Sequence, residues 1–408
     1  LPLFMKKLRV LVIGSEVSDF LCPMYKKMQE RFPMEIELIE PRGEWRNQQQ
    51  INDSFTAHHK IRFDLKKFSK TEVLKAIFKP GFWIGYLKSF NLKESIRYAL
   101  LQAQLHPIID KAAVICFHNL SNQILKLLDL IPENKKLILS FWGSDLFLNN
   151  IDYSYAIQAK ALKRASSIIV HSPEMRLIAL AKFGWQFEDK IIPLLSTDFS
   201  EELQKYIDNK ENYALFVASF KQKHNIPENK TIVVVGHSAH DIDNHLCIIP
   251  QLGKLDPLSR EACFFIFPMT YGNVENYTAN VIACCKKHGI HFLIFDEFMS
   301  NTDAEELKFA SEILVRLSKC DAFSLSLCET LAAGNIVIAA SWLPYGNLRA
   351  FDVFYKEIND FENLPRTLTE VVAHKEKYRK LSRDNGKKIL EFNDAQNSIE
   401  KLAKIYRA

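Results

Sequence analysis

Apolar residues recur along this chain in short unbroken runs, separated by longer stretches of helical periodicity. The first run, Leu8–Ile13, ends in Gly14-Ser15 and predicts a buried parallel strand opening into a loop. A helical pattern follows over Pro23–Arg31, then a second strand over Glu35–Ile39. The alternation resumes with strands at Ala113–Phe117, Lys136–Phe141, Ser167–His171 and Lys190–Leu194. A polar, helical stretch over 200–229 ends at Ile226-Pro227-Glu228-Asn229, a punctuation that predicts a domain boundary near 210–230. A new strand series then begins: Thr231–Val235, Cys263–Phe267, His291–Phe295, Glu312–Leu317 and Asn335–Ala339. The last thirty residues carry amphipathic helical spacing.

This order predicts an α/β chain of two doubly wound, Rossmann-like domains facing across a cleft. The first spans 1–212 and is completed by a returning C-terminal helix at 385–408; the second spans 213–384. In open parallel sheets, functional loops lie past the carboxyl ends of the strands. Gly14, Ser15, His118, Asn119 and the Trp142-Gly143-Ser144-Asp145 turn occupy such places in the first half, and Gly236, His237 and Ser238 in the second.

Composition changes this picture little. The 408 residues are 48% hydrophobic and 25% charged, an ordinary globular balance that excludes a disordered or fibrous chain. A net charge of +5 is low for a dedicated nucleic-acid binder. No apolar run is long enough to span a bilayer, the first residues show no signal-type apolar region, and Met5-Lys6-Lys7 ahead of the first strand resembles a natural start. The eight cysteines form no CxxC pair and are expected to be buried, reduced thiols. No resident metal or cofactor is expected. His237, His240, Asp241, Asp243 and His245 could supply metal ligands, but they also suit a phosphate-binding loop.

One segment departs from the average. Residues 60–97 hold ten Lys or Arg against three acids, with Phe78–Leu87 (FKPGFWIGYL) in the middle. Basic residues interleaved with aromatics suit a membrane interface. The plainer alternative is a solvated basic helix pair whose aromatics belong to the core.

The sharpest local pattern runs from Asp321 through Ala322, Phe323, Ser324, Leu325 and Glu329 to Gly334, before an apolar strand. It predicts a helix starting near Ser324–Leu325, with free amides at its N-terminus able to bind an anion. Asp321 precedes that nest and Glu329 follows about a turn in, while Gly334 suits the residue after the helix. Amides could hold a diphosphate and the carboxylates the flanking sugars' hydroxyls. A capped core helix with a surface Asp has the same spacing.

This segment resembles the donor motif of family-four-type retaining GT-B glycosyltransferases, EGFGxxxxEAxAxG, aligned without a gap. The resemblance implies that Glu329 holds the nucleotide ribose, and that Asp321 and the loop amides of Ala322, Phe323, Ser324 and Leu325 hold the sugar and diphosphate. Asp321 is one methylene shorter than the family's Glu, and both motif glycines are replaced. A second likeness lies in Gly236–His245 and in Phe267-Pro268-Met269-Thr270-Tyr271. These segments look like those of bacterial enzymes that add 4-acetamido-4,6-dideoxygalactose to the lipid-linked enterobacterial common antigen intermediate. It implies donor contacts from Gly236, His237, Ser238, His245, Pro268 and Tyr271. The family's Arg and Lys for the diphosphate are missing: no Lys or Arg occurs between Lys230 and Lys254. Helix amides, His237, Ser238, His245 or Arg316 would have to take that role.

The expectation is therefore a cytoplasmic bacterial glycosyltransferase at the inner membrane face, active in surface glycan synthesis. It would use a UDP, dTDP or GDP sugar as co-substrate and a lipid-linked or polysaccharide acceptor. Asp145 is a candidate catalytic group that touches the acceptor hydroxyl, beside Gly14, Ser15, His118 and Asn119; the alternative for Asp145 is a turn or capping residue. A GT-B-shaped nucleotide-sugar epimerase and a non-catalytic nucleotide-sugar or lipid-diphosphate binding protein are the rival functions.

Overall fold

A computed structural model describes residues 7–14, 21–40, 48–62, 64–148, 152–195, 200–272 and 274–408. The chain divides into two compact units, Leu1–Asp198 with Asn397–Ala408, and Phe199–Gln396.

The first unit is built on seven parallel strands: β1 (Leu8–Gly14), β2 (Met34–Glu40), β3 (Ala57–Lys60), β4 (Val114–His118), β5 (Lys136–Ser140), β6 (Ser167–Val170) and β7 (Ile191–Pro193). Their spatial order is β3-β2-β1-β4-β5-β6-β7. Val10–Ile13 of β1 are buried on both faces, as a strand covered by helices on each side must be. Val10, Val12, Ile36 and Leu38 pack on Met24, Tyr25 and Met28 of the Leu21–Arg31 helix. The chain's last helix, Ser398–Arg407, joins the same core through Ile399, Leu402, Ala403 and Tyr406.

The second unit repeats the plan with β8 (Thr231–Val235), β9 (Cys263–Pro268), β10 (Phe292–Phe295), β11 (Ile313–Arg316), β12 (Ile336–Ala340) and β13 (Lys356–Ile358), in the order β10-β9-β8-β11-β12-β13. Every strand pair in both sheets is parallel. The order reverses between β1 and β4 in one sheet and between β8 and β11 in the other. Such switch points open a crevice at the carboxyl edge.

Two expectations need correction. The chain passes between units at 198/199 rather than 212/213. The Asn385–Gln396 helix belongs to the second unit, where it packs on the Ser200–Asn209 and Leu325–Ala332 helices; only the final helix returns to the first. Among the cysteines, Cys247 is exposed and Cys284 half-buried, whereas the other six are buried.

Candidate functional site

At the first switch point, Gly14, His118 and Ser140 stand side by side in register across β1, β4 and β5. Ser15 lies outside the described residues. His118 is 1% exposed. The Trp142 indole donates to its Nδ1 at 3.1 Å, so its other nitrogen carries the proton and faces the Tyr25 hydroxyl at 2.5 Å. The Tyr25 hydroxyl in turn lies 2.9 Å from that of Tyr406 on the final helix. Burial, with His171 adding repulsion, pushes His118 down to about 3, so the ring is neutral. Asn119 follows in the left-handed region (φ 58°), and its amide bonds to the Ser140 carbonyl at 3.2 Å.

Asp145 is also buried. One carboxylate oxygen accepts from the Leu120 amide at 2.7 Å, the other from the amides of Trp142 at 2.8 Å and Leu146 at 3.1 Å. Burial raises its pKa to about 6 against the lowering effect of those amides. The carboxylate therefore ties the loop after β4 to the loop after β5. This geometry fits a turn residue that joins the two loops. Trp142 remains half-buried, with the His171 ring edge-on at 6.5 Å.

At the second switch point the chain leaves β8 through Gly236, whose φ of 68° and close approach both demand glycine: an added Cβ would lie 2.3 Å from His245 Nε2. Asp243, fully buried, gathers the loop. One of its oxygens accepts from the Ser238 amide (3.0 Å) and hydroxyl (2.6 Å), the other from the Ser318 hydroxyl (2.9 Å). His237 Nδ1 lies 2.9 Å from the latter oxygen. Burial opposes the charge on Asp243, but His237 and Arg316 outweigh it and hold the carboxyl well below its usual range.

Arg316, the last residue of β11, is 4% exposed. Its Nη2 and Nε both donate to one oxygen of Asp321, at 2.8 and 3.2 Å, and its Nη1 reaches toward Asp243 at 3.5 Å and the His237 ring. The Tyr345 hydroxyl donates to the same Asp321 oxygen at 2.7 Å, while the other oxygen accepts from the Ala322 amide at 2.8 Å. Arg316 thus serves two carboxylates from opposite flanks. At the mouth, the partly exposed His237 ring meets the Tyr271 ring edge-on at 5.6 Å.

The helix after Asp321 spans Leu325–Ala332, with Ser324 as its N-cap accepting from the Leu327 amide at 3.3 Å. Its first amides, those of Leu325 and Ser326, point past the helix end, where an anion is favoured. Gly334 takes the left-handed turn (φ 77°) after the helix. Ala322 is buried and Phe323 lies against Phe392 at 5.4 Å.

Several candidates are held by neighbouring groups of the fold. Glu329 is 7% exposed and ion-paired with Lys308, and burial raises its pKa despite that partner. His245 is fully buried; its Nε2 lies 3.2 Å from the Val235 carbonyl and its Nδ1 3.2 Å from the Tyr277 hydroxyl, so it buttresses Gly236 from below. Ser238 spends its hydroxyl on Asp243. Pro268 ends β9 inside the sheet, while Tyr271 is exposed.

Sequence reasoning passed over Tyr345, Ser318 and Trp342, whose indole donates to the Ser318 carbonyl at 2.8 Å. The signal was available. Trp342 and Tyr345 follow β12 as His237 follows β8, and the strand-end rule applies to both.

No protein-family model matches the chain, and no curated protein matches it in sequence. Solved structures do match in three dimensions over nearly the whole length. A glycosyltransferase from Rickettsia africae ESF-5 is 14% identical with a TM-score of 0.66, covering 99% of this chain and 98% of that one. Anabaena HepE, solved in complex with UDP and glucose, is 13% identical with a TM-score of 0.68, covering 97% and 99%. Sucrose-phosphate synthase from Thermosynechococcus elongatus is 10% identical with a TM-score of 0.68, covering 98% of each. The chain has the two-domain Rossmann-like fold of these GT-B proteins.

Proposed function

We propose that the protein is a glycosyltransferase that takes a sugar from a nucleoside diphosphate and passes it to a lipid-linked or polysaccharide acceptor in bacterial surface glycan synthesis. The observation that carries this reading is the second switch point. There a glycine turn, His237, the Arg316–Asp321–Tyr345 cluster and a capped helix N-terminus converge on one strand edge. One structural neighbour, HepE, is described with UDP and with UDP-glucose, which supports a nucleotide sugar at the corresponding unit.

The donor's diphosphate would lie over the amides of Leu325 and Ser326, with His237 and Tyr271 at the mouth. Arg316 would contribute only part of its charge, because Asp243 and Asp321 already share it. Asp321, held by Arg316, Tyr345 and the Ala322 amide, would orient sugar hydroxyls. Glu329 would act through the packing of its helix. The likeness of Gly236–His245 and Phe267–Tyr271 to the antigen transferases supports a nucleoside-diphosphate sugar donor of the UDP, dTDP or GDP type.

The test is thermal denaturation with UDP, dTDP, GDP, CMP, ADP and NAD, with and without EDTA. A ligand that binds only the native state raises the melting temperature by mass action. One diphosphate should produce the shift, and Tyr271→Ala or His237→Ala should abolish it while leaving the ligand-free melting temperature within a few degrees. A shift with NAD alone, or with none of them, would sink the donor site. Donor turnover that needs no acceptor would favour an epimerase.

A further inference from the structure

We propose that the helix pair Lys70–Ile77 and Pro80–Ser89 docks the protein on an anionic lipid bilayer. The outward face of the second helix is the inserting surface. The inference rests on the reading that the acceptor is presented at a membrane, but its test requires no nucleotide.

The Pro80–Ser89 helix turns its small residues inward. Gly81, Phe82 and Gly85 are buried. A Cβ on Gly85 would lie 3.1 Å from the Ser95 Cα and 2.9 Å from the Tyr98 Cβ, so this face rests directly on the Leu92–Ile109 helix. Bulk is thereby forced outward. Trp83, Ile84 and Leu87 share the opposite face, at 59%, 40% and 70% exposure. Phe78 before the helix and Phe90 after it are 81% and 77% exposed. Eight of the 21 exposed large apolar side chains among the described residues fall between Leu74 and Leu92. Phe90 holds φ at 49°, a conformation that favours glycine, with its ring in solvent. A surface helix normally buries its apolar stripe and turns polar residues to water; this one is apolar on its outward face as well.

Charge selects the occupant. The three local acids are spent internally: Glu72 closes a capping box with Ser69 and pairs with Arg62, Glu94 pairs with Arg97, and Asp64 caps the Lys66 amide. Lys66, Lys67, Lys70, Lys75, Lys79 and Lys93 are exposed and form no ion pair among the described residues. A second copy of this face would bring like charges together. An anionic bilayer accepts the apolar wedge and the surrounding ammonium groups at once. No described helix is long and apolar enough to cross a membrane, so this contact is peripheral.

Full-length protein should cosediment with vesicles in which about a third of the lipid is phosphatidylglycerol, but not with phosphatidylcholine alone, and binding should weaken with salt. Replacing Lys75, Lys79 and Lys93 together by Glu should cut binding by more than 100-fold, at about fivefold or more per charge. Trp83→Ser with Leu87→Ser should weaken binding at every salt concentration. These side chains are exposed, so circular dichroism and melting of the variants should match the parent. Absence of binding to the anionic vesicles, or variants that bind like the parent, would overturn the proposal. So would patch variants that only break up an oligomer, because the face would then pair copies of the chain. The nucleotide shift, measured on the same variants, separates the two readings: vesicle binding can fail while that shift stands, and the reverse.

Discussion

His118 enters the folded protein as a neutral ring, because the Trp142 indole occupies one nitrogen and burial disfavours the charged form. Burial moves it down to about 3 and His171 to about 4, against roughly 6.5 in an unfolded chain. Below that value the unfolded chain takes up protons that the fold refuses. The stabilisation is therefore complete above about pH 6.5 and is lost as pH falls toward 4. Each such proton contributes a slope of about 1.4 kcal/mol per pH unit. His118→Gln should lower stability at pH 8 and flatten the decline between pH 6.5 and 4, leaving the His171 share. Denaturant unfolding at a series of pH values measures this; an unchanged slope would mean that His118 is not a refused proton site. Asp145 shows why residue roles were only half legible. Its place after β5 follows from the sequence, but the Leu120 amide that occupies one of its oxygens lies 25 residues away and is brought there by the β4–β5 pairing. Glu329 was legible as a motif position, yet Lys308 comes to it from a preceding helix whose packing no spacing announces.

At the scale of elements, the central strands were readable because a strand buried on both faces leaves an unbroken apolar run. β8 matches its expected bounds, Thr231–Val235, and β12 is displaced by one residue. The two strands that escaped notice, β3 (Ala57-His58-His59-Lys60) and β13 (Lys356-Glu357-Ile358), sit at sheet edges. They are short and polar, and solvent reaches one side, so no apolar run marks them. The glycines of the Pro80–Ser89 helix carry a testable asymmetry. A Cβ on Gly81 would meet first the end of the Gln102 side chain, which can swing away, and then the Ala99 Cα at 3.3 Å, a looser backbone contact than at Gly85. A Cβ on Gly85 would meet the Ser95 backbone and the root of Tyr98, which cannot. Gly81→Ala should be near neutral, because better helix propensity offsets the crowding. Gly85→Ala should cost about 1–3 kcal/mol of overpacking. Hydrogen exchange in the Leu92–Ile109 helix should rise in the second variant alone, and equal protection in both would refute the direct contact.

At the scale of the molecule, each unit keeps its own sheet and switch point, yet the chain crosses between them twice. The first crossing lies at 198/199; the second, at 396/397, returns only the last helix to the first unit. Amphipathic spacing announced helices at the C-terminus but not where one unit's claim on them ends. The Asn385–Gln396 and Ser398–Arg407 helices carry similar patterns, and only packing tells them apart. Their division predicts a lopsided response to truncation. Ending the chain at Gln396 removes Ile399, Leu402 and Tyr406 from the first unit's core, where each is at most 2% exposed. At about 1.5–3 kcal/mol per fully buried large side chain, the loss is on the order of 5–9 kcal/mol. Loss of the Tyr406 hydroxyl also leaves Tyr25 without that partner. A deficit of this size is comparable to the whole stability of a domain, so the first unit should lose its cooperative transition. The second unit keeps every residue from Ser200 to Gln396, including the Gly236, Arg316 and Asp321 cluster. Scanning calorimetry of the truncated chain should therefore show one surviving transition, still raised by the nucleoside diphosphate that raises it in the full chain. Loss of that transition as well would mean that the second unit depends on the first for its fold, and that the nucleotide site cannot be assigned to one sheet alone.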